Sequence, residues 1–204
     1  MKSSLKFNKM ISNCVKDIDI INEREKSGYE FFYESEDDYE KSLKNNLGKF
    51  NLTQKEKKSI DCIMYNFRNN DGVFSAAIAY HYINSENKIK PLIIRNGEGE
   101  FQLNKVLNLL KDKTVLILDL EYKESSYEKL SNTCKNVFTI DDHQSCDISK
   151  FKNVKVFSGN DSHASVGFVW KVFYPKIKTP LIVQTIDIND SKKAAQYIHY
   201  SNFL

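Results

Sequence analysis

Residues 139 to 145 read TIDDHQS, so that Asp141, Asp142 and His143 arrive together at the end of KNVFT, an apolar run with the look of a buried strand. Acid gathers at two similar places. CIMYNFRNND ends in Asp71, and VLILD ends in Asp119. A later stretch, TIDIND, supplies Asp187 and Asp190. Carboxylates collected at one edge of a buried sheet repel one another and are costly to desolvate. A divalent cation relieves both costs. An oxygen-rich set with one imidazole suits Mn²⁺ or Mg²⁺ better than Zn²⁺. In a cleft, such a cation activates water and clamps a phosphoryl group. Each piece also has a plainer use. Asp71 with Gly72 could cap a helix, Asp119 could open a loop, His143 could be structural, and Asp190 could sit on the surface. Their joint placement at strand ends favours the chemical reading.

The elements that must position these residues follow from hydrophobic period and punctuation. TQKEKKSI is a short helix with Thr53 as its cap. DCIMYNF reads as a strand, DGVFSAAIAYHYI as a helix and IKPLIIRN as a second strand. FQLNKVLNLLKD has apolar residues at helical spacing. TVLILDL is continuous and β-branched, as in a strand covered on both faces. ESSYEKLSNTC is a helix, KNVFTID and VKVF are strands, and HASVGFVWKVFY is a helix ended by Pro175. PLIVQTIDIND and SKKAAQYIHY are helical in character. This alternation predicts an α/β domain, a mainly parallel sheet flanked by helices. Ligands of such sheets bind at the carboxyl ends of the strands.

The chain has 204 residues, with 41% hydrophobic and 28% charged, as in a globular protein. No window is apolar enough for a membrane span, and the N-terminus lacks the core of a signal peptide, so a cytoplasmic protein is expected. A net charge of +3 is too small to argue for nucleic-acid binding by bulk electrostatics. The four cysteines form no CxxC pair. A zinc site built from Cys134, His143 and Cys146 has only weakly specific spacing. Residues 1–57 are polar, with scattered apolar positions and the acidic run ESEDDYEK. They are expected to form a helical extension with a mobile acidic loop, ahead of an α/β domain over 58–204.

The motifs, taken in order, resemble those of the DHH (Asp-His-His) phosphoesterase family. NNDGVFSAAIAY is similar to its first motif, an Asp-Gly followed by a small Ser-Ala pair. VLILDLEYKESSYEKL is similar to the second, and VFTIDDHQS to the Asp-His-His motif itself. SHASVGFVWKVFYP followed by PLIVQTIDIND resembles the approach to the fourth. The likeness spans residues 59 to 190. It implies a hydrolase of phosphoesters or phosphoanhydrides with one or two Mn²⁺ or Mg²⁺ ions. Asp119 would bridge the metals, and Asp71, Asp190 and a member of the Asp141, Asp142, His143 cluster would hold one of them.

The chain also departs from that pattern. Asn66 and Asn69 stand where the family places a His and an Asp, and an amide oxygen is a poorer ligand for a hard cation. In the third motif, keeping Ile140 as the last buried position makes Asp141 the motif Asp, with Asp142 and His143 in the histidine positions. A one-residue shift would make Asp142 the Asp and His143 the first histidine. The chain stops about 14 residues after Asp190, without the family's usual second domain. The N-terminal extension or a second copy of the chain would then complete the cleft. The expected activity is metal-dependent hydrolysis of a small or nucleotide-like phosphoester. Asp119, Asp142 and His143 would be catalytic, and His143 or His163 would contact substrate phosphate. Gly72 would let a helix N-terminus approach an anion. The alternative is a descendant that kept the fold as a nucleotide- or protein-binding module and lost the chemistry.

Overall fold

The protein is described by a computed structural model over residues 35–87, 90–97, 99–143, 146, 148, 150–159 and 162–190. The helix expected at SKKAAQYIHY and most of the N-terminal extension lie outside these residues. Five parallel strands form one sheet: β1 (Cys62–Asn66), β2 (Leu92–Asn96), β3 (Thr114–Leu118), β4 (Asn136–Asp141) and β5 (Val154–Ser158). Their order across the sheet is β2-β1-β3-β4-β5. Register aligns Tyr65 with Leu118, Leu118 with Ile140, and Asp141 with Ser158.

The chain steps from β1 outward to β2, then returns to lay β3 on the other side of β1. The two connections diverge at the β1–β3 boundary. A crevice opens outside the carboxyl ends of the strands at such a point.

β1 and β3 are buried along their whole length, because helices cover both faces of the sheet. Alternate residues feed two cores. Ile63, Tyr65, Leu116, Leu118, Phe138 and Ile140 point to one face. Cys62, Met64, Val115, Ile117 and Val137 point to the other. The first face carries α1 (Glu36–Leu47), α2 (Gln54–Lys58), α3 (Asn70–Asn87) and α6 (Ser165–Phe173). The second carries α4 (Glu100–Val106), a 3-10 turn (Leu107–Leu110) and α5 (Glu124–Thr133). Helix α7 (Leu181–Asp190) packs on α6 and α3. No helix among the described residues is long and apolar enough to cross a membrane.

The acidic run is not a mobile loop. From Ser35 onward it is the cap and start of α1, where the Ser35 side chain accepts the Asp38 N–H. Carboxylates in a first helical turn face the positive end of the helix dipole, so the run favours a helix. Tyr39 and Leu43, one turn apart, are fully buried in the first core. At α2, Thr53 and Glu56 form a reciprocal capping box. The Lys57 ammonium, buried above the rings of Tyr82 and Phe173, donates to the Val172 carbonyl near the end of α6.

Candidate metal centre

Asp119 follows β3 with φ of 53°, in the left-handed region. Aspartate tolerates that region better than most residues, and positions held there cluster at functional sites. The turn directs its carboxylate toward the start of α3. There Gly72 lies so close that an added Cβ would run into the Asn66 carbonyl oxygen, with Asp119 Oδ2 at 2.9 Å. The Gly72 N–H donates to Asn69 Oδ1 at 2.9 Å. That amide is satisfied within the turn. The missing side chain of Gly72 permits the close approach of α3 to the turn after β1 and to Asp119.

Asp71, in the first turn of α3, is 1% exposed. It does not cap its own helix. Its carboxylate reaches across to α6, accepting Ser165 N–H at 2.9 Å and Val166 N–H at 2.5 Å. Asp142, just beyond β4, accepts the Ser165 hydroxyl at 2.8 Å and lies 3.2 Å from His143 Nδ1. Asp141 accepts the His143 N–H at 2.7 Å. The His143 ring is about half exposed.

Two groups of ligand atoms emerge, each with its members within 4.8 Å of one another: Asp71 with Asp119 and Asp142, and Asp141 with Asp142 and His143. All three members of the first group are buried. Asp190, at the end of α7, is exposed and belongs to neither group. Its charge nonetheless acts on Asp71, Asp119 and Asp142.

The electrostatics follow from burial and like charge. Burial, with Asp119, Asp142 and Asp190 nearby, pushes the Asp71 carboxyl well above the ordinary carboxylate range. Burial raises Asp119, the Asn69 side chain draws it down, and Asp141, Asp142 and Asp190 add to the rise, leaving it at about 7. Asp141 is pushed up to about 6, chiefly by burial, against the stabilising His143 N–H. Asp142 is raised by burial and lowered by Ser165 and His143. Asp119 Oδ2 is buried with no hydrogen-bond partner. A buried carboxylate with an unpartnered oxygen, grouped with two further buried carboxylates, is what a cation would satisfy. The donor set is all oxygen, with one imidazole at its margin, and it fits Mg²⁺ or Mn²⁺.

His163, proposed from sequence as a phosphate contact, is 1% exposed and structural. Its Nδ1 lies 2.9 Å from Asp187 Oδ2 and its Nε2 3.0 Å from Ser42 Oγ. Asp187 also accepts the Tyr39 hydroxyl at 2.5 Å and the Ala164 N–H at 2.5 Å. This knot ties α1 and α7 to the start of α6, the segment that Asp71 grips. Gly167 makes room for it, since a Cβ there would meet Asp187 Oδ2 at 2.5 Å. Sequence reasoning missed Ser165, Ser42 and Tyr39. Only the spacing of Tyr39, in the acidic run, and Leu43, just beyond it, signalled a buried helix face.

Asn66 and Asn69 both lie beside the centre. Asn66 Oδ1 accepts the Arg68 N–H at 3.1 Å, which shapes the turn after β1. Cys134 is buried in the second core, and the Cys146 thiol donates to the Tyr122 carbonyl at 3.4 Å. Neither joins His143 in a ligand group among the described residues.

No protein-family model matches the chain. An uncharacterized protein of Acanthamoeba polyphaga mimivirus is 25% identical over 145 residues, covering 66% of this chain. The match takes in 34% of that relative, so the chain spans about a third of its length. Among solved structures, an exopolyphosphatase-related protein from Bacteroides fragilis aligns with a TM-score of 0.46 and 11% identity, over 68% of this chain and 48% of that one.

Proposed function

We propose that the protein is a metal-dependent phosphohydrolase of the DHH type, with Asp71, Asp119 and Asp142 holding a Mn²⁺ or Mg²⁺ ion. The observation that carries this reading is the buried trio Asp71, Asp119 and Asp142, with ligand atoms within 4.8 Å of one another and with Asp119 Oδ2 left without a hydrogen-bond partner. When bound, the ion would polarise a phosphoryl oxygen and lower the pKa of a coordinated water. The chain's own residues hold the arrangement. The α6 amides orient Asp71. Ser165 and His143 orient Asp142 from opposite oxygens. His143 is half exposed beside Asp142, and in this reading it would meet a phosphate oxygen or the leaving group from the solvent side. A small or nucleotide-like phosphoester is the substrate class proposed.

The test is a Mn²⁺ titration by calorimetry beside an activity screen on a bis-aryl phosphate, short oligonucleotides, cyclic dinucleotides and pyrophosphate. Saturable binding that Asp119→Asn removes, with turnover of one substrate, is expected. Absence of saturable Mn²⁺ binding sinks the proposal.

One observation favours a second reading, a binding module that keeps the ion and lacks the chemistry. The amide oxygens of Asn66 and Asn69 both accept backbone N–H groups, so the pair serves the turn. Mn²⁺ binding without turnover in the same screen supports that reading.

A further inference from the structure

The carboxylates occupy the carboxyl edge of the sheet. On the opposite edge, beside β4 and β5, lysines gather. There, at the amino ends of β4 and β5 and beside α2, lies an open cleft of about 480 Å³. Its lining includes Lys55, Lys135, Lys152 and Lys155, with Glu56 as its one carboxylate. The elements that supply these lysines are far apart in sequence, so no charge run announces the cluster.

Glu56 does not neutralise the group. Its carboxylate already accepts the Thr53 N–H and pairs with Lys155 at 3.2 Å. Lys155 is further fixed by the Asn51 carbonyl, which sets one lip of the cleft. Lys55, Lys135 and Lys152 are exposed, and none has a carboxylate within ion-pair distance among the described residues. Three uncompensated ammonium groups around one concavity repel each other, and a multiply charged anion relieves that repulsion. The cleft also has the volume of a small-molecule site, which ordinarily lies between about 300 and 1,000 Å³. Phe138, itself buried, forms part of its floor.

We propose that this cleft is a second binding site, for a phosphate-bearing anion of nucleotide size, separate from the carboxylate centre. The lysines grip the phosphates as point charges, without the planar fork of arginine, so recognition is of charge and size. The site does not depend on the metal reading, because the two edges of the sheet share no residue.

The experiment uses the full chain in EDTA, which removes any metal-mediated contact at the carboxylates. ADP is titrated by calorimetry at low ionic strength, with adenosine as the uncharged control and a 12-mer single-stranded DNA as the extended one. Saturable ADP binding is expected, with no binding of adenosine. The affinity should fall several-fold as salt rises toward about 0.15 M, because exposed charge pairs are screened. Lys135→Glu and Lys152→Glu, both on the surface, should each weaken ADP about threefold or more, and together about tenfold, by removing and reversing charge. Asp119→Asn should leave ADP affinity unchanged. Any of three results overturns the proposal: no saturable ADP binding, an affinity indifferent to both lysine reversals, or binding of the 12-mer without ADP. Circular dichroism of the variants separates lost binding from lost folding.

Discussion

Asp119→Asn should make the metal-free protein more stable while abolishing its response to Mn²⁺. The wild-type carboxyl is held at about 7 by burial and by its acidic neighbours, against an ordinary value of 3.8. At about 1.4 kcal/mol per factor of ten, the ionised form in the folded protein is disfavoured by about 4 kcal/mol. Relaxation and water entry offset part of that, and a net gain of about 2 kcal/mol is expected from the neutral amide. The sign depends on pH. A carboxyl whose folded pKa is raised stays protonated in the folded chain after the unfolded chain has ionised. Its destabilising effect begins as pH rises past about 4 and is complete above about 7. The variant should therefore match wild type near pH 4 and exceed it by several degrees in Tm at pH 8, at about 2–4 °C per kcal/mol for a chain of this size. Asparagine also accepts the φ of 53° at this position. Saturating Mn²⁺ at about 100 times Kd should raise wild-type stability by about 2.7 kcal/mol and leave the variant unmoved. The assay is thermal unfolding at both pH values, in EDTA and in Mn²⁺. A variant no more stable than wild type at pH 8 in EDTA would refute the argument that these carboxylates strain the metal-free fold.

Gly72→Ala should cost about 3 kcal/mol or more in urea unfolding, because its Cβ would collide with the Asn66 carbonyl and crowd Asp119. A loss under 1 kcal/mol would show that α3 can move away from β1. Tyr39→Phe removes a buried hydrogen bond to the Asp187 carboxylate and should cost about 2 kcal/mol. An unchanged Cm would show that α1 is not held by that knot. Asp142→Ala should weaken Mn²⁺ about tenfold or more, since Asp142 belongs to both ligand groups. His143→Ala should spare Mn²⁺ affinity and lower turnover. Loss of the metal in His143→Ala alone would favour the shifted reading of IDDH, in which the imidazole is the ligand.

The alternation of elements was legible in the sequence because a parallel sheet covered on both faces demands continuous apolar strands, and VLILD and NVFTI are such runs. Asp71, Asp119, the Asp141, Asp142 and His143 cluster and Asp190 stood out for a related reason, since charge abutting a buried strand needs compensation. Their convergence was decided by the tertiary structure. Strand order puts β1 beside β3, and that places the Asp71 and Asp119 turns on either side of one crevice. Local sequence carries no information about which strands become neighbours. The same limit hid the partners of Asp71. Its carboxylate caps a helix 94 residues away, a contact made by the packing of α3 on α6. His163 was expected to contact substrate phosphate, but Ser42 and Asp187, arriving from distant helices, take both ring nitrogens. The acidic run shows the opposite case. Its buried positions were written in the spacing of Tyr39 and Leu43, but the charges around them dominated the local pattern until α1 was seen against α6.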